Sequence, residues 1–173
     1  MIFLMKKNFL FIYGSPATGK ITVARILQKK LGWKLLWFHD IKNAVYEIVK
    51  VHRIPELMNE VTEPIIKFLL AGNDDIIYVR PAGNAETINR VKKIVELSSD
   101  YNFTLVRLDA SYETLLSRVS ARKDEYRICS KEDLDKYLAD KGGTPKPFPG
   151  EFIVSTDDKT PEQVTAEILA LLK

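Results

Sequence analysis

The sequence predicts an α/β fold in which a parallel sheet of five strands carries helices on both faces. Short apolar runs alternate along the chain with longer segments whose apolar residues recur every three or four positions. The first pattern is typical of buried strands, and the second is typical of amphipathic helices. Because parallel strands need a long crossover between them, regular alternation of the two patterns favours a parallel sheet.

The predicted strands are the apolar runs at 8–13, 34–38, 75–79, 103–108 and 151–154. In sheets of this kind ligands bind beyond the carboxyl ends of the strands. Residues that directly follow each run are therefore the first candidates for a functional site.

The predicted helices are 20–31, 41–51, 56–71, 85–98, one that begins after Ser111, 131–140, and one from Thr160 to about Leu172. Gly32 ends the first helix, and Leu97 is expected on the apolar face of the fourth. Thr160, Pro161 and Gln163 form the pattern of a capping box with a proline at the first helical position.

Length and composition predict one soluble domain over residues 1–173. With 46% apolar and 28% charged residues, the chain is unlike a disordered, collagen-like or disulfide-stapled protein. The single cysteine, Cys129, fits a reducing cytoplasm, where we expect the protein to be located. The apolar stretch 1–13 is interrupted by Lys6 and Lys7 and is shorter than the roughly 20 residues of a spanning helix, so no membrane contact is expected.

Charge is distributed unevenly along the chain. The net charge is only +3, but residues 1–39 contain seven Lys or Arg and no Asp or Glu. A net charge of this size does not indicate a nucleic-acid partner, whereas an acid-free segment suits a small polyanion.

A glycine-rich loop lies between the first predicted strand and the first predicted helix. It has the form GxxxxGK, in which glycines let backbone N–H groups face a phosphate, the helix N-terminus adds partial positive charge, and the lysine reaches the terminal phosphates. The residues expected to hold a nucleotide here are Gly14, Ser15, Pro16, Ala17, Thr18, Gly19, Lys20, Ile21 and Thr22.

This loop, the order of the elements and a basic segment after the fourth strand resemble the P-loop kinases, the group that includes adenylate, shikimate and gluconate kinases. The resemblance implies a three-layer P-loop NTPase fold, ATP and Mg²⁺ as cofactors, a helical acceptor-binding region at about 40–72 and a small lid at about 118–131. Two departures concern the metal. Ile21 stands where many phosphate loops offer a hydroxyl, and the third strand ends in Val79 and Arg80 without an acid.

Asp40 follows the second predicted strand, after His39. In related kinases an Asp at this place orients the acceptor hydroxyl, takes its proton or holds Mg²⁺ through water, and one carboxylate is enough to orient a nucleophile. Asp40 is therefore a candidate for catalysis, for acceptor binding and for the metal. The alternative is that Asp40 is the N-cap of a helix that begins at Ile41. His39 is either an acceptor contact or a packed or solvated side chain.

Four arginines are further candidates. Arg80 follows the third strand and could bind an anionic group of the acceptor or the transferred phosphate. The alternative is a surface arginine that pairs with an acid. Arg118 and Arg122 lie four positions apart, a spacing that places them on one face of a single helix. By resemblance, Arg118 lies against the adenine, Arg118 and Arg122 stabilise the transferred phosphoryl group, and Arg127 reaches the substrate.

The sequence thus predicts an enzyme that transfers the γ-phosphate of ATP to a small acceptor, such as a nucleoside, a nucleotide or another hydroxylated metabolite. The alternatives are an ATP-binding sensor or scaffold with little turnover, and a nucleic-acid kinase or binding module. The loop also resembles that of AAA-type ATPases, but the third strand lacks the acidic pair of that class. The shikimate-specific paired acids and glycine triplet are absent from the sequence. A monomer or a homodimer is expected.

Overall fold

Five parallel strands form the centre of the protein. The computed structural model describes residues 6–50, 55–81, 85–122, 128–140 and 147–172. The strands are β1 (Lys7–Gly14), β2 (Lys34–Trp37), β3 (Ile76–Val79), β4 (Tyr101–Asp109) and β5 (Phe152–Ser155). They lie in the order β2–β3–β1–β4–β5, and each neighbouring pair is parallel. The predicted five-stranded parallel sheet is confirmed.

The helices are α1 (Lys20–Leu31), α2 (Phe38–Val49), α3 (Pro55–Ala71), α4 (Ala85–Glu96), α5 (Tyr112–Ser120), α6 (Lys131–Asp140) and α7 (Pro161–Leu171). Gly32 ends α1 in the left-handed conformation, with φ of 72°. Thr160 and Gln163 form the predicted capping box of α7. Ser111 caps α5 by accepting a hydrogen bond from the Thr114 backbone N–H.

Both faces of the sheet are covered, which gives the fold its three layers. Alternate residues of β1 point to opposite sides, so Phe9 and Phe11 belong to one apolar cluster and Leu10 and Ile12 to another. The first cluster includes residues of α2, α3 and α4, and the second includes residues of α1 and α7. Burial on both sides explains why β1 reads as a continuous apolar run rather than an alternating one.

Helix α2 begins at Phe38, three residues earlier than predicted. Trp37 is its N-cap and has extended backbone angles, whereas Asp40 lies within the first turn. The expectation that Asp40 is the N-cap is therefore wrong. Phe38 and Ile41 are both buried and lie on the same side of the helix, so apolar packing extends the helix to the end of β2.

Helices α2, α4 and α5 end earlier than predicted, α2 at Val49. Helix α4 ends at Glu96, and the Leu97 side chain is 78% exposed, so the expectation that Leu97 packs in the core is wrong. Helix α5 ends at Ser120, which places Arg122 beyond the helix. Arg118 and Arg122 therefore do not lie on one helical face as the spacing predicted. In the described part of the chain, no helix combines the length and apolar character needed to cross a bilayer.

Candidate active site

The loop between β1 and α1 is shaped by two glycines with positive φ. At Gly14, φ is 148°, and a Cβ atom would lie 2.2 Å from the Leu108 carbonyl oxygen of the neighbouring strand. At Gly19, directly before α1, φ is 82°. Only glycine adopts such conformations without strain or makes such a close approach. The loop therefore turns sharply above the carboxyl end of β1 and leads into the N-terminus of α1.

Lys20 lies over this loop. Its Nζ donates hydrogen bonds to the Ser15 carbonyl oxygen at 2.6 Å and to Thr18 Oγ1 at 3.2 Å, and Thr18 Oγ1 also donates to the Ser15 carbonyl. Burial, and to a lesser extent the nearby positive charge of Arg122, lower the pKa of Lys20 to about 7. Two cations thus lie close together at the loop, an arrangement that a bound polyanion would stabilise.

Arg118 connects the phosphate loop to the turn that follows β5. One guanidinium nitrogen, Nη1, donates to the Ala17 carbonyl oxygen at 3.3 Å and to Thr156 Oγ1 at 2.8 Å, and Nη2 donates to the Thr156 carbonyl oxygen at 2.7 Å. The backbone N–H of Thr156 in turn donates to the Asp109 carbonyl at the end of β4. Arg118 is therefore fixed beside the loop.

Arg122 and Arg127 are the other two predicted lid arginines. Arg122 donates to the Ile128 carbonyl oxygen at 3.2 Å, and its charge reaches Lys20. The structure thus brings Arg122 to the loop although it lies outside α5. Arg127 lies outside the described residues.

The acceptor candidates meet where β2 and β3 end. Trp37 and Val79 are register partners, so the residues that follow them are neighbours. The Arg80 guanidinium lies 4.2 Å from the centre of the Phe38 ring, and Arg80 Nη1 donates to the Tyr78 hydroxyl at 3.4 Å. Asp40 is exposed in the first turn of α2. Arg80 and the start of α2 therefore form one surface.

Two aromatic rings lie beside His39 on this surface. The His39 ring lies 5.3 Å from the Trp37 ring and 6.2 Å from the Phe38 ring, measured between centres. Trp37 also contacts Arg25, whose guanidinium carbon lies 5.8 Å from the centre of the Trp37 ring. These contacts show that His39 is packed among aromatic rings, in line with the packed alternative.

The described residues suit Mg²⁺ only if phosphate oxygens and waters supply most of its ligands. Among the described residues, no group of three or more His, Cys, Asp or Glu could hold a metal ion. Mg²⁺ commonly takes few protein ligands and keeps several waters when phosphate oxygens supply the rest. Asp40 and Thr22 are both exposed and carry oxygen atoms of the kind that such an ion would need.

A buried polar cluster on the α2–α4 face of the sheet was not predicted from the sequence. The Tyr13 hydroxyl donates a hydrogen bond to Glu151 Oε2, and Glu151 Oε1 lies 3.5 Å from Arg107 Nε. Arg107 Nη2 also lies 3.9 Å from Asp109 Oδ2. One signal was available: Arg107 is a charged residue inside an apolar strand, a position that usually requires a buried partner.

Comparisons with known proteins bear on the fold. No protein-family model matches the chain, and no curated protein does. Solved structures do match. A "putative kinase" from Chloroflexus aurantiacus has a TM-score of 0.71 at 16% identity, covering 97% of this chain and 100% of that one. A gluconokinase from Sinorhizobium meliloti has a TM-score of 0.67 at 14% identity, covering 96% and 91%.

A shikimate kinase from Aquifex aeolicus has a TM-score of 0.59 at 18% identity, covering 95% of both chains. These likenesses extend over almost the whole chain, as the sequence resemblance implied. The chain has the fold of the P-loop small-molecule kinases, as predicted. At these identities the comparison establishes the fold alone, because one fold can carry many different activities.

Proposed function

We propose that the protein is an ATP-dependent phosphotransferase that moves the γ-phosphate of ATP to a hydroxyl group of a small acceptor. The observation that carries the proposal is the loop from Gly14 to Lys20, which turns over the end of β1 into α1 and carries a partly buried lysine beside Arg122. Kinase folds among the structural neighbours support it.

The nucleotide would lie over this loop. Backbone N–H groups of residues 14–22 and the positive end of α1 would bind the phosphates, and Lys20 would contact the terminal ones. Arg118, fixed between Ala17 and Thr156, would border the adenine and hold the nucleotide in position. Arg122 would neutralise charge on the transferred group.

The acceptor would lie over the ends of β2 and β3. In the reaction, the acceptor oxygen forms a bond to the γ-phosphorus while the bond between that phosphorus and the β,γ-bridging oxygen breaks, and ADP leaves. Asp40 would orient the acceptor hydroxyl and accept its proton. Arg80, fixed on Phe38, would bind an anionic group of the acceptor, and Arg127 would contact the same ligand.

When bound, Mg²⁺ would supply positive charge that reduces the negative charge of the nucleotide phosphates. The residues that would hold it are Thr22 through its hydroxyl and Asp40 through water. Residues 118–131 would cover the nucleotide and exclude water, which strengthens the charge interactions and limits hydrolysis of ATP.

The test is calorimetric titration of ADP with Mg²⁺ into the wild-type protein, Lys20→Ala and a control. Lys29→Ala is a matched control because Lys29 is an exposed lysine in the last turn of the same helix. We expect binding by the wild type and the control and a loss of at least about tenfold in Lys20→Ala. Equal binding by all three proteins would refute the nucleotide site.

A second function, an ATP-binding sensor or scaffold, is favoured by one observation. Ile21 follows the loop lysine, and β3 ends in Val79 without an acid. The candidate site therefore lacks two common anchors for Mg²⁺, a hydroxyl directly after the lysine and an acid at the end of β3. A panel of nucleosides, nucleotides and hydroxylated metabolites separates the two functions. If the protein is a phosphotransferase, one acceptor should raise ATP consumption above the Lys20→Ala background. If it is a sensor or scaffold, it should bind ADP without such an increase.

A further inference from the structure

Three side chains join three strands beneath the phosphate loop. Tyr13 is the residue before Gly14 on β1, Arg107 is its register partner on β4, and Glu151 directly precedes β5. The Tyr13 hydroxyl donates to one Glu151 oxygen, and Arg107 lies 3.5 Å from the other. The edge strand is thereby connected by side chains to the central strand that carries the loop.

This ion pair is buried. The side chains of Arg107 and Glu151 are 5% and 2% exposed, whereas those of Lys7 and Asp75, an ion pair at the opposite end of the sheet, are 36% and 23% exposed. Glu151 Oε1 forms no hydrogen bond with the described residues, because its ion-pair distance is too long for one. A buried ion pair is often no more stable than well-packed apolar residues, so stability alone does not explain it.

The cluster lies next to the point where the loop backbone at Gly14 passes close to the backbone of β4. Leu108 follows Arg107, and its carbonyl oxygen is the atom that a side chain at Gly14 would strike at 2.2 Å. A small displacement of Tyr13 or Arg107 would therefore move Gly14 relative to Leu108. On the other side, the Glu151 backbone N–H donates to the Phe148 carbonyl, and Phe148 packs against the core cluster of β1.

We propose that Glu151 is a positioning residue that acts through Tyr13 and Arg107 to set the phosphate loop in its nucleotide-binding conformation. The inference rests on the proposed nucleotide site. It assigns to Glu151 an effect on nucleotide affinity that is separate from its effect on folding, although Glu151 does not itself contact the nucleotide.

The first test compares two tyrosine hydroxyls. Tyr13→Phe removes the hydroxyl that binds Glu151. Tyr101→Phe is the matched control, because the buried Tyr101 hydroxyl donates to the Leu70 and Asp74 carbonyls at the opposite end of the sheet. Calorimetric titration with Mg²⁺ and ADP is expected to give a dissociation constant about fivefold higher for Tyr13→Phe and unchanged for Tyr101→Phe. Equal constants for the two variants would overturn the proposal.

The second test removes the ion pair without leaving a buried charge. Arg107→Met and Glu151→Leu should each destabilise the protein, and the double variant should recover most of the stability. If the ion pair has only a structural role, the nucleotide affinity of the double variant should recover together with its stability. The proposal predicts a double variant that unfolds near the wild-type urea concentration and still binds ADP at least about fivefold more weakly. Recovery of both properties would overturn it.

These results are distinguishable from failure of the nucleotide site. If wild type and Lys20→Ala bind ADP equally, the proposed function fails, whatever the tyrosine variants do. If Lys20→Ala loses binding while Tyr13→Phe retains it fully, the site stands and the positioning role of Glu151 fails. Should the double variant not fold, the two tyrosine variants decide the question alone.

Discussion

Arg118 and Thr156 are joined by two hydrogen bonds, from Nη1 to Thr156 Oγ1 at 2.8 Å and from Nη2 to the Thr156 carbonyl at 2.7 Å. The guanidinium is thus held against the turn after β5 while it also contacts the Ala17 carbonyl of the phosphate loop. A side chain fixed in this way loses little conformational freedom when a nucleotide binds beside it.

We therefore expect Arg118→Lys to weaken ADP binding by about tenfold, because an ammonium cannot make both bonds to Thr156 in the same geometry. Fluorescence or calorimetric titration measures the effect. Arg90→Lys is the control, since Arg90 lies in exposed ion pairs with Glu63 and Glu86 on the helical layer. Equal losses in the two variants would contradict a specific role for Arg118.

Gly14→Ala should both destabilise the protein and abolish nucleotide binding. The added Cβ would lie 2.2 Å from the Leu108 carbonyl oxygen, so the backbone must move, and we expect a loss of about 3 kcal/mol in the free energy of unfolding. At Gly32 φ is also positive, but a Cβ there has open space. Gly32→Ala should therefore cost only about 1 to 2 kcal/mol in urea unfolding and leave ADP binding intact.

The lowered pKa of Lys20 predicts a pH dependence of stability. Its pKa is about 7 in the native protein and 10.5 in an unperturbed lysine. Between these values the unfolded chain keeps a proton that the native protein has released, so the Lys20 contribution makes the free energy of unfolding rise with pH.

Urea unfolding of wild type and Lys20→Met at pH 7 and pH 9 measures this contribution. The stability of the wild type relative to Lys20→Met should increase with pH, because the variant has no group that titrates at this position. Parallel pH profiles would show that Lys20 keeps an ordinary pKa in the native protein.

Asp40→Asn should lower the turnover number by about a hundredfold with the acceptor identified in the metabolite panel, because the amide cannot accept the hydroxyl proton. The free energy of unfolding should change by less than about 0.5 kcal/mol, since Asp40 is an exposed residue. Affinity for ADP should be unchanged. Asp140→Asn, an exposed acid in α6, is the control. A loss of ADP affinity equal to the loss of turnover would place Asp40 on the nucleotide side instead.

Local signals predicted the elements and the phosphate loop. The apolar run of β1, the glycines at 14 and 19 and the caps of α5 and α7 each act through neighbouring residues, so their effects can be inferred from a short stretch of chain. The start of α2 was missed for the same reason. Trp37 and Phe38 continue an apolar run without a turn residue, and only packing in the folded protein separates strand from helix.

The buried cluster of Tyr13, Arg107 and Glu151 could not be predicted in this way. Its members lie on different strands, and periodicity indicates that strands exist without giving the order β2–β3–β1–β4–β5 in which they pair. The charge of Arg107 inside an apolar strand indicated that it needs a buried partner, but not which residue that partner is. Likewise, the spacing of Arg118 and Arg122 gave no sign that α5 ends at Ser120 or that Thr156 would fix one of them.

The position of Trp37 has a practical consequence. Its indole ring lies at the end of β2, between the Arg25 guanidinium and the His39 ring, three residues from Asp40. The chain contains two tryptophans, Trp33 and Trp37, so replacing Trp33 by Phe leaves a single tryptophan, beside the expected acceptor surface. The emission of that ring then reports the arrival of unlabelled compounds directly, which allows a metabolite library to be screened before any phosphorylated product is known.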